Sequence, residues 1–133
     1  MITLDNAQSI LAAGEARANA TNVRVSIAVV DGDAYLKAFN KMDGAFLGSI
    51  DVAMGKARTA ALSGSPSEAI GEFARVVSTS PGLAATEGGL VAFSGGLPIK
   101  TADGTIIGAV GVSGGAVDQD LDIAEAAVAA FRP

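Results

Sequence analysis

The chain has 133 residues, half of them hydrophobic and 17% charged, with 9 basic against 14 acidic side chains and a formal charge of -5. That is enough for one domain over residues 1–133 and too little for two; a domain of this size buries roughly two thirds of the surface its unfolded chain exposes. With no Cys and no His, disulfides, thiol nucleophiles, iron–sulfur clusters and a Ser-His-Asp triad are excluded, as is the commonest metal and haem ligand, and the acidity argues against nucleic acid as a partner.

The amino end, Met1-Ile-Thr-Leu-Asp5-Asn6, turns polar at once and has no basic patch ahead of an apolar block, so no secretory signal is expected. No uncharged stretch reaches the ~20 apolar residues of a membrane span, and the expectation is a soluble cytoplasmic protein. Thr3 caps a predicted helix whose apolar positions Leu4, Ala7, Leu11, Gly14 and Ala18 recur at steps of three and four. From Asn22 the chain becomes β-branched and alternating (Val23, Val25, Ile27, Val29, Val30), and Asp31-Gly-Asp33 turns it into a second run, Tyr35 to Phe39. This predicts a β-hairpin.

Ser49 caps a second predicted helix, with Ile50, Ala53, Met54, Ala57 and Ala61 as its inward stripe and Lys56 on the flank. Ser65-Pro66-Ser67-Glu68 has the form of a capping box with Pro at the first helical position, so a short helix carries Ile70, Phe73 and Val77 inward. Residues 78–89 are rich in Ser, Thr, Pro and Gly and read as a loop, followed by a weakly marked strand near 89–93. Two further strands lie around 97–100 and 104–113, joined by the Ala102-Asp103-Gly104 turn. A last helix from about Asp118 buries Leu121, Ala124, Val128 and Phe131. Hairpin-length links require a mostly antiparallel sheet, so the fold class is α+β, a central sheet with helices packed on its faces.

Several short segments follow one another in a particular order: Met42-Asp-Gly-Ala45, Ile50-Asp-Val-Ala53 and Lys56-Ala57, then Ser80-Pro-Gly82, then Gly95-Gly-Leu-Pro-Ile99. Asp103-Gly104, the glycine-rich run from Ile107 to Gly115, and Gln119-Asp120 complete the series. In this order and spacing, over nearly the whole chain, they resemble the GlcG/HbpS family, the haem-degrading domain family. The resemblance implies a profilin-like α+β fold and assembly into homo-oligomers, dimers or larger rings. It also implies one of several roles: haem binding or degradation, service beside cobalamin-processing enzymes, or a place beside glycolate or diol metabolism. Haem as cofactor rests on the resemblance alone. The usual iron-ligating residue types left in the chain are Met1, Met42, Met54 and Tyr35, and the resemblance implies Thr, Lys or surface contact as an alternative mode.

Lys56 either packs its stem and sends its ammonium to water, or pairs with Asp43 or Asp120 at the rim of a pocket and holds an acidic substrate or a cofactor propionate. Asp43-Gly44 makes a turn; the resemblance implies that this loop, with Ser80, Gly82, Gly95 and Gly96, borders one cavity. Ser113-Gly114-Gly115 joins a strand to a helix, where backbone N–H groups can hold a carboxylate or phosphate, although the glycines equally serve close packing and turns. Asp118, Asp120 and Asp122 begin like a calcium loop, but Ile123 and Ala129 stand where it needs Gly and Glu. First-turn acids are ordinary dipole partners, and no metal site is expected.

Three readings follow. The first is a small-molecule or cofactor-binding protein holding haem or another tetrapyrrole. The second is a cofactor-independent enzyme acting on a small organic acid or aldehyde, in which Lys56 binds substrate, Asp43 or Asp120 moves the proton and the amides of 113–115 hold an oxyanion. The third is a non-catalytic oligomeric accessory protein whose apolar surface is hidden between subunits.

Overall fold

The computed structural model describes residues 1–70 and 90–131. Within them the order is α1 (Leu4–Ala20), β1 (Ser26–Asp31), β2 (Leu36–Lys41), α2 (Ser49–Ser63), β3 (Gly96–Lys100), β4 (Ile106–Ser113) and α3 (Val117–Ala129), with a helical turn over 67–70. The four strands form one antiparallel sheet in the order β2-β1-β4-β3, so the chain is α+β. The expected loop over 78–89 and the inward positions Phe73 and Val77 lie outside the described residues. Residues 90–95 are irregular, so the strand expected near 89–93 does not form there.

Both ends of the hairpin follow from local chemistry. The Asp31 carboxylate accepts the N–H groups of Asp33 (2.9 Å) and Tyr35 (3.1 Å), which closes the turn between β1 and β2. Thr3 caps α1 as expected, its Oγ1 accepting the Asn6 N–H at 3.0 Å. Pro98 lies in β3, at the edge of the sheet, where a residue without a backbone donor is tolerated.

The sheet is covered on both faces. Ile27 and Val29 of β1 pack with Val110 and Val112 of β4 against Ile10 and Leu11 of α1 and Ile123 of α3, while Ala28 and Val30 face α2. Beneath α2 the register aligns Ala28, Gly111 and Gly96 in a row of small residues across three strands. A Cβ on Gly111 would stand 2.0 Å from the Ala53 carbonyl oxygen, and one on Gly96 2.4 Å from that of Lys56. The helix therefore rests backbone on backbone, with Ala53, Ala57, Ala60 and Ala61 as its underside.

Four expectations are corrected by this packing. Met54 is 37% exposed, because the close seat of α2 turns its buried side toward positions 53, 56, 57 and 60. Ser49 is the first residue of α2 and not its cap; Gly48 stands before it, and the Ser49 hydroxyl bonds the Phe46 carbonyl (2.6 Å) and Ser26 Oγ (2.8 Å). On α3 the fully buried side is Asp120, Ile123, Ala124 and Ala127, with Leu121, Val128 and Phe131 half-buried beside it. At the predicted capping box, Glu68 accepts from the Ser94 hydroxyl at 3.4 Å, and the Ser65 N–H donates to Ser63 Oγ at 3.3 Å.

Candidate ligand-binding site

The chain buries one ammonium and one carboxylate together at the end of β4. Lys56 leaves the underside of α2, where its backbone lies directly over Gly96 of β3. The side chain is 2% exposed, and its Nζ donates to the Val112 carbonyl (2.8 Å) and to Asp120 Oδ2 (2.9 Å). Asp120 approaches from the first turn of α3, on the opposite side of the sheet, and its other oxygen accepts the Gly115 N–H at 2.9 Å. Burial pushes the Asp120 carboxyl above the usual carboxylate range, against the opposing pull of the Lys56 ammonium and the Gly115 amide. Among the described residues no buried side-chain polar atom lacks a partner.

The pair is the polar end of a cleft of about 290 Å³, lined by Phe46, Val52, Lys56, Phe93, Ser113, Gly115, Val117 and Asp120. Phe46, Phe93 and Val117 are more than half exposed although apolar, an unusual arrangement for so few aromatics. Gly95 stands directly against the pair in a left-handed conformation (φ 122°); a Cβ there would lie 3.0 Å from Lys56 Nζ and 2.7 Å from the Val112 carbonyl oxygen. The cleft thus offers an apolar wall, a few directed donors and acceptors, and an ion pair that is neutral as a unit.

The structure brings together Lys56, Asp120, Ser113 and Gly115, with Gly95 at their side. Gly96 packs beneath the Lys56 backbone, and Gly114 packs against the Arg24 backbone, where a Cβ would meet the Arg24 carbonyl oxygen at 2.4 Å. Neither lines the cleft. Asp43 is exposed in a separate depression with Arg24, Asn40 and Lys41, and Gly44 faces the Arg24 stem. The loop that carries them reaches the cleft instead through Phe46. Ser80 and Gly82 lie outside the described residues. The three acids of α3 do not form one cluster, since Asp120 is turned about 200° from its neighbours on either side: Asp120 meets Lys56, while Asp118 and Asp122, one turn apart on the other face, meet solvent and Arg17 of α1 (2.7 Å) respectively. Asp120 is accordingly more than a dipole partner. Phe46, Val52, Phe93 and Val117 were missing from the sequence expectation, although an apolar Phe46-Leu47 pair inside a glycine-flanked loop was a visible signal.

The model of the HbpS-like family, described as haem degrading protein HbpS-like, matches residues 2–129. The chain belongs to this family. It is 39% identical over 131 residues to the 15.0 kDa protein of the dhaT-dhaS intergenic region of Citrobacter freundii, covering 98% of this chain and 92% of that one. Among solved structures, protein ORFY of Klebsiella pneumoniae superimposes with a TM-score of 0.91 at 37% identity, over 98% of this chain and 90% of that one. The PduOC:heme complex superimposes at 0.89 with 30% identity, over 98% and 95%. Membership supports haem or small-molecule binding as the family's theme. Among the described residues, no helix is long and apolar enough to cross a membrane.

Haem is the group that the family implies, and the side chains can be tested against it. The apolar wall of Phe46, Phe93 and Val117 fits the face of a macrocycle. The Met and Tyr donors do not reach its iron there: Met42 packs against the main core, Met54 lines a different groove with Val30 and Leu36, Met1 lies against Gly32, and Tyr35 is 71% exposed on the hairpin. None of the four lines the cleft.

Proposed function

We propose that this protein binds a small organic molecule of tetrapyrrole type in the cleft between Phe46, Phe93 and the Lys56–Asp120 pair, and that it holds the molecule by ring and edge, without a protein ligand to iron. The observation that carries this reading is the conjunction of three exposed apolar side chains with a buried, fully bonded ion pair in one cleft. Ligand sites combine apolar walls with a few placed polar groups, and about 290 Å³ lies just below their range of roughly 300–1,000 Å³. A flat ligand would therefore project beyond the cleft. That projection, with β3 at the sheet edge, supports the further expectation of a homo-oligomer in which a second copy covers the rest.

The test compares haemin with metal-free protoporphyrin IX by absorbance and fluorescence titration. The expected result is micromolar binding of both, with dissociation constants within about threefold, because ligation by a strong protein donor would separate them by more than the tenfold that 1.4 kcal/mol represents. Failure of both to bind at micromolar protein overturns the reading, and haemin binding a hundredfold tighter overturns ring-and-edge recognition. Light scattering checks the assembly, a dimer or larger being expected and a monodisperse monomer refuting it.

A second reading, a cofactor-independent enzyme for a small organic acid or aldehyde, is favoured by one observation: the raised Asp120 carboxyl touches an ammonium at the end of a cleft, an arrangement able to move a proton. Turnover of such a substrate abolished by both Lys56→Met and Asp120→Asn is its expected signature; unchanged turnover in either variant refutes it.

A further inference from the structure

The irregular segment 91–95, which supplies Phe93 to the cleft and Gly95 to the ion pair, meets the sheet at its end, where the Val112 N–H donates to the Gly95 carbonyl at 2.9 Å. Two buried hydroxyls fasten it on the other side. Thr59 of α2, 0% exposed, accepts the Val91 N–H on its Oγ1 at 2.8 Å. Ser67, also 0% exposed, accepts the Gly96 N–H at 2.9 Å and donates to the Phe93 carbonyl. Gly55 makes room between them, since a Cβ there would stand 2.4 Å from the Val91 side chain. Both ends of the segment are thus fastened to the helical layer, and the Ser67 hydroxyl spans the two residues, Ser94 and Gly95, that separate Phe93 from Gly96.

We infer that Thr59 and Ser67 are positioning residues: their hydroxyls clasp residues 91–96 to the α2 layer and so set where the Phe93 wall and the Gly95 backbone stand relative to the Lys56 ammonium. Neither side chain lines the cleft, so each acts through the segment it holds. The effect on ligand affinity rests on the binding reading above; the clasp itself does not.

The experiment reads amide hydrogen exchange together with haemin titration in Ser67→Ala, Thr59→Val and Thr59→Ser. Loss of one hydrogen bond should speed exchange at the amide it held by about fivefold to tenfold. Gly96 should respond in Ser67→Ala and Val91 in Thr59→Val, while Val29 and Val110 in the sheet centre stay unchanged. Thr59→Ser keeps the acceptor and should restore Val91 protection. Haemin affinity should fall about tenfold in Ser67→Ala with the urea midpoint of the sheet amides held. Unchanged Gly96 and Val91 exchange, or an equal rise across the sheet, overturns the clasp. Altered exchange with unaltered haemin affinity overturns its link to the cleft. If the unsubstituted protein takes up no haemin, the binding reading falls and the exchange data still decide the clasp.

Discussion

The Lys56–Asp120 pair makes a stability prediction that can be worked from its geometry. Both groups are almost fully buried and 2.9 Å apart, so each offsets part of the other's desolvation penalty. Breaking a buried pair from one side typically costs about 3–5 kcal/mol, because the survivor is left as an uncompensated charge. Against a total stability of about 5–15 kcal/mol, that is a large fraction. Asp120→Asn should fall within this range, about 3–5 kcal/mol, since its single amide oxygen can accept from only one of Gly115 and Lys56 and its NH2 then faces the other donor. Lys56→Met keeps the stem and loses the charge, and its cost should depend on pH. The Asp120 carboxyl is already raised above its ordinary 3.8 by burial, and without the ammonium it rises further.

The sign follows from proton counts. Above pH 3.8 the unfolded carboxyl is ionised, while the folded one stays protonated up to its raised pKa, so the folded state binds more protons and stability falls as pH rises through that window. The slope approaches ~1.4 kcal/mol per pH unit where the two states differ by a full proton. In the unsubstituted protein the same sign holds over a narrower window, because Lys56 opposes the shift. Urea unfolding followed by circular dichroism between pH 4 and pH 8 measures all of this. The double variant Lys56→Met/Asp120→Asn should be more stable than the sum of the single losses implies, by about 2–3 kcal/mol. Additive losses, or a Lys56→Met stability that does not change with pH, would refute the account of a mutually dependent buried pair.

Three shorter predictions test the packing and the cleft. Gly111→Ala should cost about 3 kcal/mol or more by urea unfolding, since its Cβ would overlap the Ala53 carbonyl at 2.0 Å and overpacking of this kind costs about 1–3 kcal/mol even when neighbours can give; Gly104→Ala, which meets nothing within 4 Å but has φ 88°, should lose only about 1–2 kcal/mol from backbone strain. Thr3→Ala should lower stability by about 1 kcal/mol through loss of the α1 cap, with the extra exchange confined to the amides of the first turn. Phe93→Ala and Phe46→Ala, at side chains that are 64% and 58% exposed, should leave the urea midpoint nearly unchanged and raise the haemin dissociation constant about tenfold each, and a stability loss equal to that of a core Phe would show that they are not a ligand wall.

Much of the fold could be read from the chain because its signals are local. The Asp31-Gly-Asp33 turn, the β-branched run before it and the Thr3 cap each act through bonds between residues a few positions apart, and the structure forms all three. The placement of Pro98 at a sheet edge likewise follows from one missing donor. Helix orientation was less legible. On α2 and α3, alanines occur on several sides, so periodicity marks a broad arc without saying which residue lies at its centre, and the true centre is set by where Gly111 and Gly96 let the helix approach. Met54 and Leu121 were placed too far inward for that reason.

The candidate site shows the same division more sharply. Lys56 on the flank of an alanine stripe ordinarily extends to water, and nothing near it in sequence says otherwise. What buries it is a non-local condition: the small-residue row Ala28, Gly111 and Gly96 lowers α2 onto the sheet, and the shortened distance lets Nζ reach Val112 and Asp120 around the end of β4. A single added methyl at Gly111 would push α2 outward and lengthen both contacts. The row of small residues and the ion pair are therefore one arrangement, and a substitution that lifts the helix should loosen the ammonium's hold on Asp120 and let burial raise its carboxyl further, an effect that the pH dependence of Gly111→Ala unfolding would register as a wider window of falling stability.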